Sequence, residues 1–155
     1  MNSVMTILTT LALAVPLATL SGDNSTVIKS GDLQAQLAQL APKAQTAGSS
    51  GSTLNSTGNL TLKLSVRTKS GGGEIHAHFD DLMIVQQGSA QLVTGGTVVD
   101  AQTSSEGETT GTGIKGGTSR AVNAGDVIII PAGTPHQLLI APGTVYSALV
   151  AKVKE

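Results

Sequence analysis

From residue 60 the chain alternates: Leu60, Leu62, Leu64 and Val66 take every second position, with Thr61, Lys63, Ser65 and Arg67 between them. Successive side chains of an extended strand point to opposite faces, so the run predicts a half-buried β-strand. Further strands are predicted over 81–87, 89–94 and 97–99, with a hairpin signal at Gly95 and Gly96. Apolar runs at 127–130, 137–140 and 145–153 read as core strands. Ahead of the strands the period changes. Leu33, Leu37 and Leu40 fall at i, i+4 and i+7 behind Ser30 and Asp32, which predicts a short amphipathic helix discouraged from continuing at Pro42. Its expected role is a lid or clasp on the outside of the β-structure; a homodimer contact is the alternative. Residues 46–59, rich in Ser, Thr and Gly, read as a flexible connector. Residues 100–120 carry Glu106 and Glu108 among further Ser, Thr and Gly, and read as a polar insertion longer than a turn between two strands requires.

Residues 4–20 are apolar or small and uncharged, and small residues follow around Ser21 and Gly22. This pattern predicts a signal peptide over 1–21 and a secreted or periplasmic mature chain that is not embedded in a membrane. A membrane anchor or a buried helix are the alternatives. The expected division is then 1–21 leader, 22–59 helix and connector, and 60–155 barrel. The 155 residues suit one domain. A net charge of −1 without a basic stripe argues against nucleic acid or an anionic membrane as partner. Phe79 and Tyr146 are the only aromatic rings, so stacking platforms for sugars or bases are missing. Without cysteine there is no thiolate ligand, thiol nucleophile or disulfide. No Gly-Lys-Ser/Thr loop supports nucleotide binding, and no Gly-x-Ser-x-Gly elbow supports a serine hydrolase.

The chemistry concentrates in the histidines. His76 and His78 stand at i and i+2, so on a continuous strand both imidazoles share a face and one ion could bridge them. His136 follows a bend set by Pro131 and Gly133. A single histidine on a strand is commonly just a hydrogen-bonded polar residue, but three so placed point to a metal site. Glu74 shares the face of His76 and His78; it either projects into the cavity as a supporting or acid/base carboxylate, or sits solvated at the mouth.

These residues resemble the cupin superfamily. Its second motif runs Gly, five residues, Pro-x-Gly, two residues, His, three residues, Asn; Gly125, Pro131, Gly133 and His136 match it, with Ile140 at the Asn position. Its first motif places His-x-His three or four residues before Glu, with Gly after six more. His76, His78 and Gly88 fit, Asp81 falls at the Glu position, and only two residues separate it from His78. The resemblance covers about residues 60–155. It implies an all-β fold, a double-stranded antiparallel β-helix barrel of jelly-roll type with a short N-terminal helix added. It also implies one divalent transition metal (Mn, Fe, Ni, Co or Zn) held by His76, His78, Asp81 and His136. Asp80, on the opposite face, is the alternative to Asp81. The functions then expected are lyase, isomerase or oxygenase chemistry on a small polar carbonyl or carboxylate compound, or non-catalytic ligand or metal binding outside the cytoplasm.

Overall fold

The computed structural model describes residues 25–155. The leader expected over 1–21 lies outside them. Helix α1 (Ser30–Ala47) runs through Pro42 and ends at Gly48, whose left-handed φ of 90° lets its N–H bond back to the Ala44 carbonyl. Proline removes one helical hydrogen bond and costs about 3 kcal/mol within a helix. Here it sits on the exposed side, and the buried stripe of Leu37 and Leu40 continues to Ala44, which is 0% exposed, so packing carries the helix past it.

Thirteen strands follow. β1 (Ser49–Thr57), β2 (Leu60–Arg67), β3 (Gly73–His76), β4 (Phe79–Gln87), β5 (Ser89–Thr94), β6 (Thr97–Val99) and β7 (Gln102–Thr103) come first; β8 (Glu108–Gly111), β9 (Gly113–Lys115), β10 (Thr118–Asn123), β11 (Val127–Ile130), β12 (His136–Leu139) and β13 (Tyr146–Lys154) complete the chain. One sheet has the order β1-β2-β13-β4-β11 and the other β10-β5-β12-β3-β8-β7, with β6-β9 as a separate pair; every pairing is antiparallel. The two large sheets pack face to face on a core that includes Met83, Val85, Leu92, Ile128, Ile130, Ile140, Tyr146 and Val150.

Several expectations change. The connector of 46–59 is mostly strand β1, bound to β2 along its length with one bulge near Thr53, so the sheet starts at Ser49 and not at Leu60. Its polar composition is used: Ser50 donates to the Leu40 carbonyl (2.7 Å) and ties the strand to α1. The insertion of 100–120 is likewise built into strands, of which β8 pairs with β3. Gly95 and Gly96 make the expected turn at φ 72° and 74°, but β6 leaves β5 and pairs with β9. The faces of β2 are the most consequential change. Leu64 and Val66, 1% exposed each, pack outward against Leu37, Leu40 and Ala44 of α1, while Lys63, Ser65 and Arg67 face the space between the sheets. The helix covers the apolar face, and the polar face is left to line a cavity. Among the described residues no helix is long and apolar enough to cross a membrane.

Candidate metal centre

The cavity has a volume of about 390 Å³. Glu74 and His76 enter it together because they alternate on β3, and His136 of β12 stands directly opposite Glu74 in the antiparallel pairing. One donor atom from each of Glu74, His76 and His136 lies within 4.8 Å of the others. The Nε2 of His76 is 3.7 Å from a Glu74 oxygen, and the Nε2 of His136 is 4.0 Å from the same oxygen. Transition ions hold such donors at roughly 2.0–2.2 Å, which sets neighbouring donors about 3 Å apart, so a small contraction would bring this set onto one ion.

The outer nitrogens are already engaged. His136 Nδ1 donates to the Thr134 carbonyl (3.0 Å); a carbonyl only accepts, so the neutral ring keeps its lone pair on Nε2, toward the cavity. His76 Nδ1 is hydrogen-bonded to Glu108, the residue facing it across the β3–β8 pairing. A carboxylate or carbonyl behind each imidazole is how metal-binding histidines are usually oriented. Burial pushes His136 below the ordinary histidine range. His76 is raised, chiefly by its interaction with Asp81 and further by Glu108, against the opposing effect of burial.

Asp81 points inward and is 5% exposed. One oxygen is 3.4 Å from His76 Nε2, and the other accepts from Lys152 Nζ at 2.6 Å. Burial, the largest influence, raises its pKa, but the bonds and charges of His76 and Lys152 outweigh it and hold the carboxyl below its ordinary value. Asp80 points the other way, and its Oδ1 accepts the Ala132 N–H (2.8 Å) in the turn that leads to His136. The choice of Asp81 over Asp80 thus agrees with their facing, although Asp81 stands beside the three-donor cluster and is tied to a cation.

His78 does not join the cluster. β3 ends at His76, Ala77 and His78 form a turn, and the ring is exposed, with Gly107 close by. The period-two argument holds only while the strand continues, and here it stops two residues short of His78. The spacing carried a signal for this: with Glu74 and His76 in the His-x-His positions, four residues precede Asp81 and six more precede Gly88, which restores the family interval. Sequence reasoning also missed Glu108, hidden in the polar insertion, and the cavity cations Lys63, Arg67 and Lys152. Arg67 lies 3.6 Å from Glu74. Met83 and Leu138 line the cavity on its apolar side, whereas Val85 and Ile140 belong to the packed core.

No family model and no curated protein matches the sequence. In structure the chain is similar to the polyketide cyclase RemF of Streptomyces resistomycificus, with TM-score 0.51 and 20% identity over 70% of this chain and 66% of that one. It is similar to the DMSP lyase DddQ of Ruegeria pomeroyi DSS-3, with TM-score 0.51 and 14% identity over 71% and 49%. It also matches the cupin domain of Schizosaccharomyces pombe Cnp3, with TM-score 0.53 and 8% identity over 69% and 61%. The matched region spans two thirds or less of each of these chains. At such identities the likeness shows the fold alone, a double-stranded β-helix of the kind found in the cupin domain of Cnp3.

Proposed function

We propose that the chain is an exported, metal-dependent cupin-fold enzyme that acts on a small carbonyl or carboxylate compound by lyase, isomerase or oxygenase-type chemistry. Glu74, His76 and His136 hold the ion, with Asp81 beside them. The observation that carries this reading is the orientation of the two imidazoles: each has its Nδ1 anchored from outside, and each turns Nε2 toward one carboxylate in the cavity. Two histidines and one carboxylate leave further coordination positions open, and a divalent ion there supplies Lewis acidity toward a carbonyl or carboxylate oxygen. The protein's own groups do the rest. Glu108 and the Thr134 carbonyl fix the rings, Arg67 steadies Glu74, and Lys152 places positive charge where a substrate oxygen gains negative charge. Glu74, considered from sequence as an acid/base group, serves as a ligand in this arrangement. That the similar proteins include a cyclase and a lyase supports an enzyme on this scaffold.

Metal analysis of protein purified without added metal tests the site. A stoichiometric transition ion is expected, lost in His76→Ala and His136→Ala and kept in His78→Ala; the reverse order among the histidines would sink the assignment. A screen of small carbonyl and carboxylate compounds against Mn-, Fe-, Ni-, Co- and Zn-loaded protein tests catalysis. Saturable binding without turnover under any loading would assign a binding module instead. Export rests on the uncharged apolar run of residues 4–20. N-terminal sequencing of the protein recovered outside the cytoplasm should begin near residue 22, and a full-length chain retained inside the cell would refute it.

A further inference from the structure

The cavity extends past the histidines to a polar group that metal binding leaves unused. Tyr146, on the inward face of β13, is 0% exposed, yet its hydroxyl has no hydrogen-bond partner although its residue lines the cavity. A buried donor left unmade is costly, and of the three buried side-chain oxygens without a partner among the described residues, those of Tyr146, Ser147 and Glu108, only the Tyr146 hydroxyl is a donor on a residue that lines the cavity. Tyr146 faces Arg67 directly across the β2–β13 pairing, and Lys63 follows on the same face opposite Val150. The Arg67 to Glu74 contact of 3.6 Å is an ion pair too long for a hydrogen bond. Along β13 the inward positions after Tyr146 are Ala148 and Val150, so apolar wall adjoins the polar groups.

We propose that Tyr146 and Arg67 form an anion subsite that binds one carboxylate of a small organic acid, whose other polar end reaches the metal centre. That other end rests on the function proposed above; the subsite does not. The Tyr146 hydroxyl and the Arg67 guanidinium both donate, and a carboxylate only accepts, so the match is one of hydrogen-bond type as well as charge. Burial pushes the Tyr146 phenol up to about 12, against the pull of Arg67, and it therefore keeps its donor proton near neutral pH. Lys63, Arg67 and Lys152 balance Glu74, Asp81 and Glu108 around the cavity, and a bound divalent ion would leave the enclosure with an excess of positive charge that an organic dianion offsets. The apolar wall of Ala148 and Val150, with Met83 beside Val150, suits the hydrocarbon part of an organic acid rather than an inorganic anion.

Calorimetric titration of the full chain with succinate and with its uncharged diamide, succinamide, tests the subsite, in metal-loaded and metal-free protein. Succinate should bind saturably and succinamide about tenfold or more weakly. Tyr146→Phe should weaken succinate by about tenfold while its melting temperature holds or rises, because the removed hydroxyl had no partner in the fold. Arg67→Met should weaken succinate in the same direction. If the metal assignment fails, metal-free protein must still prefer succinate through Tyr146. Equal affinity for acid and diamide, an unchanged succinate affinity in Tyr146→Phe, or inorganic phosphate outcompeting succinate would overturn the proposal.

Discussion

His76 and His136 respond to pH with opposite sign. In the metal-free fold His76 holds its proton more tightly than in the unfolded chain, so it adds stability below about pH 6.5 that fades as pH rises through its raised folded value. Buried His136 holds its proton less tightly, so its cost grows as pH falls below 6.5. Denaturant titrations of metal-free protein at about pH 5.5 and pH 8 should separate them. His76→Gln is expected to lose more, relative to the parent, at the lower pH; His136→Gln is expected to gain on the parent there. Offsets that do not change with pH would contradict the two environments. Metal affinity should run the other way from the His76 effect and strengthen as pH rises, since a ligand nitrogen must shed its proton. The adjacent aspartates separate as cleanly. Asp80→Ala removes the acceptor for Ala132 and should cost about 1 kcal/mol while sparing metal retention, and Asp81→Asn should disturb the centre more than the fold. At the level of single residues the sequence shows His76 and His136 in their two segments and the alternation of Asp80 with Asp81. His78 misled because nothing local in Ala77-His78 announces that the strand has ended, whereas the interval to Asp81 did.

At the scale of elements, pairing decides what periodicity cannot. The alternation of residues 60–67 identifies a strand, but which face turns inward depends on what covers the other, and only the packing of α1 on Leu64 and Val66 settles it. Similarly, Glu108 has no local signature in a run of Ser, Thr and Gly; it becomes a partner of His76 because β8 pairs with β3. Two consequences can be measured. Leu64→Ala should cost about 2–5 kcal/mol in denaturant stability, the usual range for a buried leucine, because its side chain is packed in the cluster under α1. Lys152 faces Asp81 across the β4–β13 pairing and occupies one of its oxygens. Lys152→Met should therefore free that oxygen and slow metal loss to a competing chelator, even though the unpaired carboxylate lowers the stability of the metal-free protein. Faster metal loss in this variant would mean that the ammonium supports the ion instead of competing with its site.

For the whole molecule, the core and the centre are supplied by different residues. Met83, Val85, Leu92, Ile128, Ile130, Ile140 and Val150 close the space between the sheets, and the Leu37, Leu40, Leu64 and Val66 cluster seals a second layer under the helix. Neither cluster depends on the donor set of Glu74, His76 and His136, which lies on β3 and β12 at the cavity wall. The centre needs the scaffold to bring strands together, but the scaffold does not need an ion to form. Removing metal with a chelator should accordingly leave the far-ultraviolet circular dichroism unchanged and lower only the melting temperature. An ion at a hundredfold excess over its dissociation constant adds about 2.7 kcal/mol by mass action. For a chain of this size that corresponds to a rise on the order of 5–10 °C. The rise should vanish in His76→Ala and His136→Ala and persist in His78→Ala. Loss of β-structure on chelation would show instead that the ion is part of what holds the two sheets together.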